Sequence, residues 1–335
     1  MPCATLRPVA LQKPPEYGII HKSSAGPIPG AQYASGAPRR RNARRMSMIP
    51  AISRTDSLPR HALRLCALAS GSRGNCIYVG CGQTHLLIDC GIAQRSISAG
   101  LGRVGEWLGI PVEPGALSAV LISHEHSDHI LSCAGLALRH DLPIYASAPT
   151  LSAICRRPRA DAIPPRNLRA IEPGQDFYIG DIDITPFKTP HDAACSVGYR
   201  LDAGAASIAV ATDIGKLSDS WLDAVEGAQL VMLEANHDEA MLRAGDYPEA
   251  LKRRILSTRG HLSNAASAQA AVRLARSGTR VILLSHLSEH NNTPQLAYDT
   301  VCAALENAGI LPGRDVFVGL LEQNHASDVF ELACE

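Results

Sequence analysis

Residues 119–135 read AVLISHEHSDHILSCAG. A short apolar run, Ala119 to Ile122, stops at Ser123. The next six residues carry three histidines, a glutamate and an aspartate: His124, Glu125, His126, Ser127, Asp128 and His129. An apolar run of this length bounded by polar residues reads as a buried strand. Polar groups buried without partners cost about 1–3 kcal/mol each, so packing alone does not explain such a cluster at a strand end. In His124-x-His126 an extended turn aims both side chains the same way. Asp128 and His129 sit just beyond and turn toward a neighbouring position.

The same signature recurs along the chain. THLLID ends at Asp89, DITPFKTP runs into His191 and Asp192, SIAVATD ends at Asp213, and VILLSH ends at His286. One imidazole or carboxylate at a strand end is a cap; five such strands point to ends that converge on one site. His nitrogens and carboxylate oxygens are the ligands of borderline and hard divalent ions. His191 completes a set with His124 and His126, and His286 completes one with Asp128 and His129. Asp213, with two oxygens, bridges them. Two ions ~3.5–4 Å apart then hold a bridging hydroxide, a nucleophile at neutral pH. The ligand set suits Zn²⁺ or Mn²⁺ and does not choose between them.

Outside these ends the patterning alternates between β and helical runs. LRLCALAS, NCIYVG and THLLID read as strands broken by glycine, with SGSRGN (70–75) as a tight polar loop. Residues 92–108 read as a helix, ALSAVLIS as a strand, ILSCAGLALRH as a helix and LPIYAS as a strand. The Pro- and Arg-rich stretch 155–175 reads as a surface excursion. DIDITPFKT, SVGYRLDA, ASIAVATD and AQLVMLEAN follow as strands. Helical runs over about 238–256 and 264–277 come next, then the strand TRVILLSH and a helix over 294–308. DVFVGL and DVFEL close the chain as strands. Two batches of strands with helices between and after them predict an α/β, four-layer αββα sandwich in one domain, residues 61–335.

Net charge is zero over 335 residues, but residues 1–60 hold ten Lys/Arg against Glu16 and Asp56, a net +8 that leaves −8 for the rest. That segment is rich in Pro, Gly, Ser and Ala without hydrophobic period, and reads as a disordered basic extension. Met46 and Met48 are alternative starts, and an organelle transit peptide is a minor reading. Aromatics are 4% of the chain, too few for a broad base-stacking surface. No apolar run approaches the ~18–20 residues of a membrane span. Ten cysteines, none in a CxxC pair and several inside apolar runs, fit a reduced, cytoplasmic protein.

HEHSDH (124–129) matches the HxHxDH motif of the metallo-β-lactamase-fold hydrolases, and His191, Asp213 and His286 fall in that family's order. SGSRGN (70–75), LLIDCG (86–91), EANHD (234–238), GHLSN (260–264) and LSHLSEHNN (284–292) further resemble the YycJ/WalJ-type branch. Those are bacterial proteins regarded as metal-dependent 5′→3′ DNA exonucleases, related to ribonuclease Z and to small phosphodiesterases. The resemblance covers most of residues 63–333 and implies a dinuclear site at one edge of two sheets. It assigns His124, His126 and His191 to one metal, Asp128, His129 and His286 to the other, and Asp213 to both. Two departures narrow it. TPHDAACSVGYR lacks the glycine that precedes the third-motif histidine in the glyoxalase and β-lactamase branches. Asp213 and His286 lie 73 positions apart, too few for the extra domain of ribonuclease J-type enzymes.

The remaining motifs supply candidates. Ser263 or Asn264 caps a helix after His261, and amides at a helix start suit a phosphate. His261 is expected to bind the phosphate or protonate the leaving oxygen. Asp128 is expected to orient or deprotonate the attacking water. Ser70, Ser72 and Asn75 are candidates for the mouth of the site, and Asp89 for orienting a ligand histidine. His237 and His290 stay open.

The expected function is that of a dinuclear metal-dependent phosphodiester hydrolase, a 5′→3′ exonuclease with DNA favoured over RNA as substrate. A small-molecule hydrolase of lactones, thioesters or cyclic phosphodiesters is the alternative, and the −8 of the core favours it. Basic patches at Arg156, Arg157, Arg159, Arg166 and Arg169, or at Lys252, Arg253 and Arg254, would favour nucleic acid. A non-catalytic scaffold is disfavoured by the intact ligand set. No feature of the sequence defines an oligomeric state.

Overall fold

The computed structural model describes residues 61–157 and 163–335. The basic segment 1–60 and Arg159 lie outside the described residues.

Two seven-stranded sheets form the centre. The first is built from β1 (Ala62–Ala69), β2 (Cys76–Cys81), β3 (Thr84–Ile88), β4 (Ala119–Leu121), β5 (Ile144–Ser147), β6 (Leu168–Ile171) and β14 (Phe330–Ala333), in the order β14-β1-β2-β3-β4-β5-β6. The second contains β7 (Phe177–Ile179), β8 (Ile182–Lys188), β9 (Val197–Ala203), β10 (Ala206–Ala211), β11 (Leu230–Glu234), β12 (Val281–Ser285) and β13 (Phe317–Leu320), in the order β13-β12-β11-β10-β9-β8-β7. Each sheet is antiparallel in one half and parallel in the other, the change falling at β3 in the first and at β10 in the second.

Strand composition explains the layering. β1 and β11 are buried along their whole length, the pattern of strands covered on both faces. Alternate residues then face different layers. Leu63, Leu65 and Ala67 of β1 meet Leu230 and Met232 of β11 in the core between the sheets. Cys66 and Leu68 point out to α1 (Gln94–Leu108), α3 (Cys133–His140) and α4 (Ala148–Cys155). Val231 and Leu233 point out to α5 (Asp219–Val225), α8 (Asn264–Arg276) and α9 (Pro294–Asn307). The result is the αββα sandwich the patterning predicts. No helix of the described residues is long and apolar enough to cross a membrane.

Four local expectations change. The excursion 155–175 contains β6, an edge strand that pairs in parallel with β5. The helical run over 238–256 is two helices, α6 (Glu239–Ala244) and α7 (Glu249–Ile255), because Pro248 disfavours helical backbone at Tyr247. The helix expected over ILSCAGLALRH starts later, as α3, and a separate single turn, α2 (Ser127–Ile130), precedes it within the histidine cluster. The short elements β7, α4 and α5 also escape the sequence reading.

Candidate metal centre

The parallel halves of the sheets bring the polar strand ends together. β3 pairs with β4 in the register Ile88↔Leu121, which sets Asp89 beside the chain entering the histidine cluster. β10, β11 and β12 run side by side, with Ala211 opposite Leu233 and Glu234 opposite Ser285. Asp213, Glu234 and His286 therefore emerge along one edge. His191 arrives from the turn after β8. Asp89, Asp213 and His286 have φ of 60°, 57° and 55°. Left-handed backbone in a non-glycine residue is costly and persists where the surroundings hold it; here it turns three strand ends inward. Gly91 lets the β3 loop approach the cluster, since a Cβ there would lie 1.5 Å from the Asp128 carbonyl oxygen.

Two sets of donor atoms result. His124 Nε2 lies 3.0 Å from His126 Nδ1, and His191 Nε2 3.3 Å from the same atom. His129 Nε2 lies 3.5 Å from Asp128 Oδ2 and 3.5 Å from Asp213 Oδ2, while His286 Nδ1 lies 3.5 Å from Asp213 Oδ1. His124, His126 and His191 form one group of facing ligand atoms, and Asp128, His129 and His286 another. Asp213 lies between them, its Oδ1 also 3.8 Å from His191 Nε2.

Their hydrogen bonds show why these groups fit a cation. His191 Nδ1 donates to the Gly260 carbonyl at 3.0 Å. His129 Nδ1 donates to Asp89 Oδ2 at 2.7 Å. Ser123 Oγ donates to the same carboxylate at 2.8 Å and accepts from His124 Nδ1 at 3.0 Å. In these three rings Nδ1 carries a proton, so the Nε2 of His124 and His191 offers a lone pair to the interior, as that of His129 does once the proton held there, despite burial, by Asp89, Asp213 and Asp128 has left. Facing lone pairs repel unless a positive charge lies among them. Asp213 Oδ2 and His286 Nε2 are buried with no hydrogen-bond partner, which a protein interior rarely tolerates.

Charge states point the same way. Burial, then the neighbouring imidazoles of His129, His191 and His126, keep His124 neutral. Burial opposes the Asp128 carboxylate, but its hydrogen bond to His129 and the charge there hold it below the usual range. Burial likewise opposes the charge on His286, and Asp213 and Glu234 overcome it, pushing the group up to about 9.

The sequence reading passed over Glu234. Its Oε1 accepts from His261 Nδ1 at 2.8 Å and from His286 Nδ1 at 2.9 Å. Its Oε2 accepts from the Ile214 and Leu262 amides at 2.8 and 3.1 Å. One buried carboxylate thus orients two histidines toward the site. Its signal in the sequence is the polar end of the apolar run LVMLE, where EANHD (234–238) begins.

A cavity of about 380 Å³ opens over these groups, lined among others by Ser72, His126, Asp128, His191, His261 and His286. Arg157, Arg254 and Tyr247 also line it. Three expectations need correction. Ser70 and Asn75 are buried and do not reach the cavity. Ser70 Oγ instead accepts from the His286 amide at 3.1 Å, and Asn75 ties its own loop to Gly71 while contacting His129 Nε2 at 3.1 Å. Two of the first-turn amides of α8 are also occupied, Asn264 by the His237 carbonyl and Ala266 by Ser263 Oγ, which removes them from any anion. Among these candidates, Ser72 and the ring of His261 do line the cavity. His237 is buried with Nδ1 unpartnered, and His290 is exposed against Tyr247, their rings 5.7 Å apart.

The fold and this edge of ligands define a class, and comparison with known proteins agrees. Residues 84–287 match the family described as Beta-lactamase superfamily domain, and the chain belongs to that family. It is 37% identical over 248 residues to "Exodeoxyribonuclease WalJ" of Streptococcus pneumoniae serotype 2 (strain D39 / NCTC 7466), covering 74% of this chain and 90% of that protein. It is 37% identical over 252 residues to "Exodeoxyribonuclease YycJ" of Bacillus anthracis, covering 75% and 92%. Among solved structures, the metallo-beta-lactamase fold protein YhfI from Bacillus subtilis aligns with a TM-score of 0.58 at 20% identity, covering 81% of this chain and 100% of that one. Zn(2+)-bound PqqB from Methylobacterium extorquens aligns at 0.56 and 18%, covering 79% and 99%. At those identities the likeness is one of fold.

Proposed function

We propose that the protein is a metal-dependent phosphodiester hydrolase that digests DNA as an exonuclease, in the 5′→3′ direction. The observation that carries the reading is the pairing of two converging ligand groups, bridged by Asp213 with its unpartnered Oδ2, at the floor of a cavity rimmed by Arg157 and Arg254. His124, His126 and His191 would hold one divalent ion, Asp128, His129 and His286 a second, and Asp213 both; Zn²⁺ and Mn²⁺ each suit this N/O set. Such ions supply Lewis acidity, lowering the pKa of water and offsetting charge on a phosphodiester.

The chain's own groups do the rest. Asp128 is ionised, faces the cavity and orients the attacking water. His261, held through Nδ1 by Glu234, presents its other nitrogen to the cavity. There it binds a phosphate oxygen or gives a proton to the leaving oxygen. Arg157 adds positive charge at the mouth, where Arg254 is paired with Asp192. Nine free cysteines among the described residues fit a reducing, cytosolic compartment.

The test is digestion of 5′-phosphorylated single- and double-stranded DNA, and of RNA, with Mn²⁺ or Zn²⁺ supplied, beside Asp128→Ala. Nucleotides should leave the 5′ end of DNA, and the variant should lose about 10²–10⁴-fold in rate. Release no greater than the variant's background on every polymer would sink the nuclease reading and leave the small-molecule hydrolase.

A further inference from the structure

The catalytic cavity has a neighbour. A second cavity of about 390 Å³ is lined by Lys188, Lys216 and Arg259, and no carboxylate lines it. His191 walls both cavities, so they meet at the turn that carries this ligand. Three cations lining one cavity are unexpected here, because residues 61–335 carry a net −8; the nearby Glu125 carboxylate accepts from the Ala194 amide at 2.8 Å but does not itself line the cavity. At the mouth of the catalytic cavity, by contrast, Arg254 is engaged by both oxygens of Asp192.

The base of this second cavity is rigid. Arg259 Nε donates to the His191 carbonyl at 2.9 Å and its terminal nitrogen to the Ala193 carbonyl at 3.3 Å, contacts that leave its positive charge unneutralised. The Gly215 amide donates to the Pro190 carbonyl at 2.7 Å, and the Lys216 carbonyl accepts from Trp221 Nε1 at 3.1 Å. Thr189 and Ser196 close the turn through a 2.8 Å hydroxyl pair. Lys188 ends β8 and Lys216 follows Asp213, and both side chains are exposed. Neither forms an ion pair among the described residues.

The geometry points to a phosphate track: Lys188, Lys216 and Arg259 bind backbone phosphates of the strand beyond the unit held in the catalytic cavity. This inference rests on the phosphodiesterase reading and names the substrate as a polyanion longer than a single diester. The catalytic cavity is too small for a duplex, so the strand must leave it, and the adjoining cavity offers the complementary charge. Each phosphate neutralised on a single strand releases counterions, giving a salt slope of about −0.7 per contact.

The Mn²⁺-loaded full chain is tested as wild type, Lys188→Ala/Lys216→Ala and Lys188→Arg/Lys216→Arg. KM and Kd are measured on oligothymidylates of two and ten nucleotides across a salt series. In the wild type, affinity should rise with length. The alanine pair should lose most of that length dependence, with KM for the ten-mer up about 10-fold and a salt slope shallower by about 1.4. The arginine pair should restore both. Wild-type length dependence and slope in the alanine pair overturn the track, as does an arginine pair that behaves like alanine. If the wild type cleaves a small diester but no DNA, the nuclease reading fails by itself. Ten-mer binding by fluorescence anisotropy still scores the track.

Discussion

Glu234 ends a strand of apolar residues, and its carboxylate meets four donors: two imidazoles and two backbone amides. A glutamine offers one acceptor oxygen and turns a second pair of donors against its own NH₂. Groups that orient metal-ligating histidines are typically worth 10–100-fold in affinity. Glu234→Gln is therefore expected to weaken zinc binding by about that factor in a chelator competition while leaving the far-UV circular dichroism intact; unchanged affinity would remove Glu234 from the site. Asp89 plays the matching part for His129 and was legible, since it stands alone at a strand end. Glu234 carries the same strand-end signal, but its role as a partner of two histidines is not legible, because they come from distant segments that only the β10-β11-β12 register sets side by side.

His286 carries a further consequence. With the metal absent its imidazole is raised from an ordinary 6.5 to about 9; burial opposes this, and Asp213 and Glu234 overcome it. The charged ring thus contributes stability that is fully present below pH 6.5 and is lost as pH rises through about 9. A metal needs the neutral ring, so it must displace that proton. Zinc added to the stripped protein should release protons, and its apparent affinity should rise between pH 6.5 and 9. Affinity that stays flat across that window would show that His286 binds no metal.

Among the elements, the loop after β3 is tied to the histidine cluster through its backbone. Asn75 donates its amide to the Asp128 carbonyl, Cys90 donates to that of His129, and Gly91 donates to that of Asn75, each at 2.8 Å. The cluster is thus held by backbone that only glycine permits at position 91. Overpacking a flexible core costs about 1–3 kcal/mol. A Cβ against a fixed carbonyl should exceed that, so Gly91→Ala is expected to lower stability by at least about 3 kcal/mol in denaturant melts. A smaller loss would mean the loop can shift. Long elements with a clear period, such as β1, α1, α8 and α9, were legible. The short ones were not: β6 follows a Pro- and Arg-rich stretch, β7 has three residues, and α4 opens on Ala-Pro. Pro248 marks the interruption between α6 and α7, which puts Tyr247 on the cavity wall.

At the scale of the whole molecule, the ligand histidines and carboxylates lie beyond the ends of the strands, whereas apolar strand interiors build the core between the sheets. Chelation should therefore abolish activity and leave the secondary structure. Readdition of Zn²⁺ or Mn²⁺ at 1,000 times Kd should raise stability by about 4 kcal/mol, visible in thermal melts. A collapse of the circular dichroism on chelation would show that the metals build the fold. The architecture was readable because strand ends carried chemistry while strand interiors did not. The phosphate contacts were not, because they depend on which loops share a wall.

The two sheets also divide the ligands between them. His124, His126, Asp128 and His129 follow a strand of the first, whereas His191, Asp213 and His286 follow strands of the second. An ion held by both groups would act as a clasp across the sandwich, slowing the parting of the layers. Occupancy would then govern how fast the molecule opens as well as whether it turns over substrate. Lifetime under protease becomes a gauge of metal loading that needs no DNA.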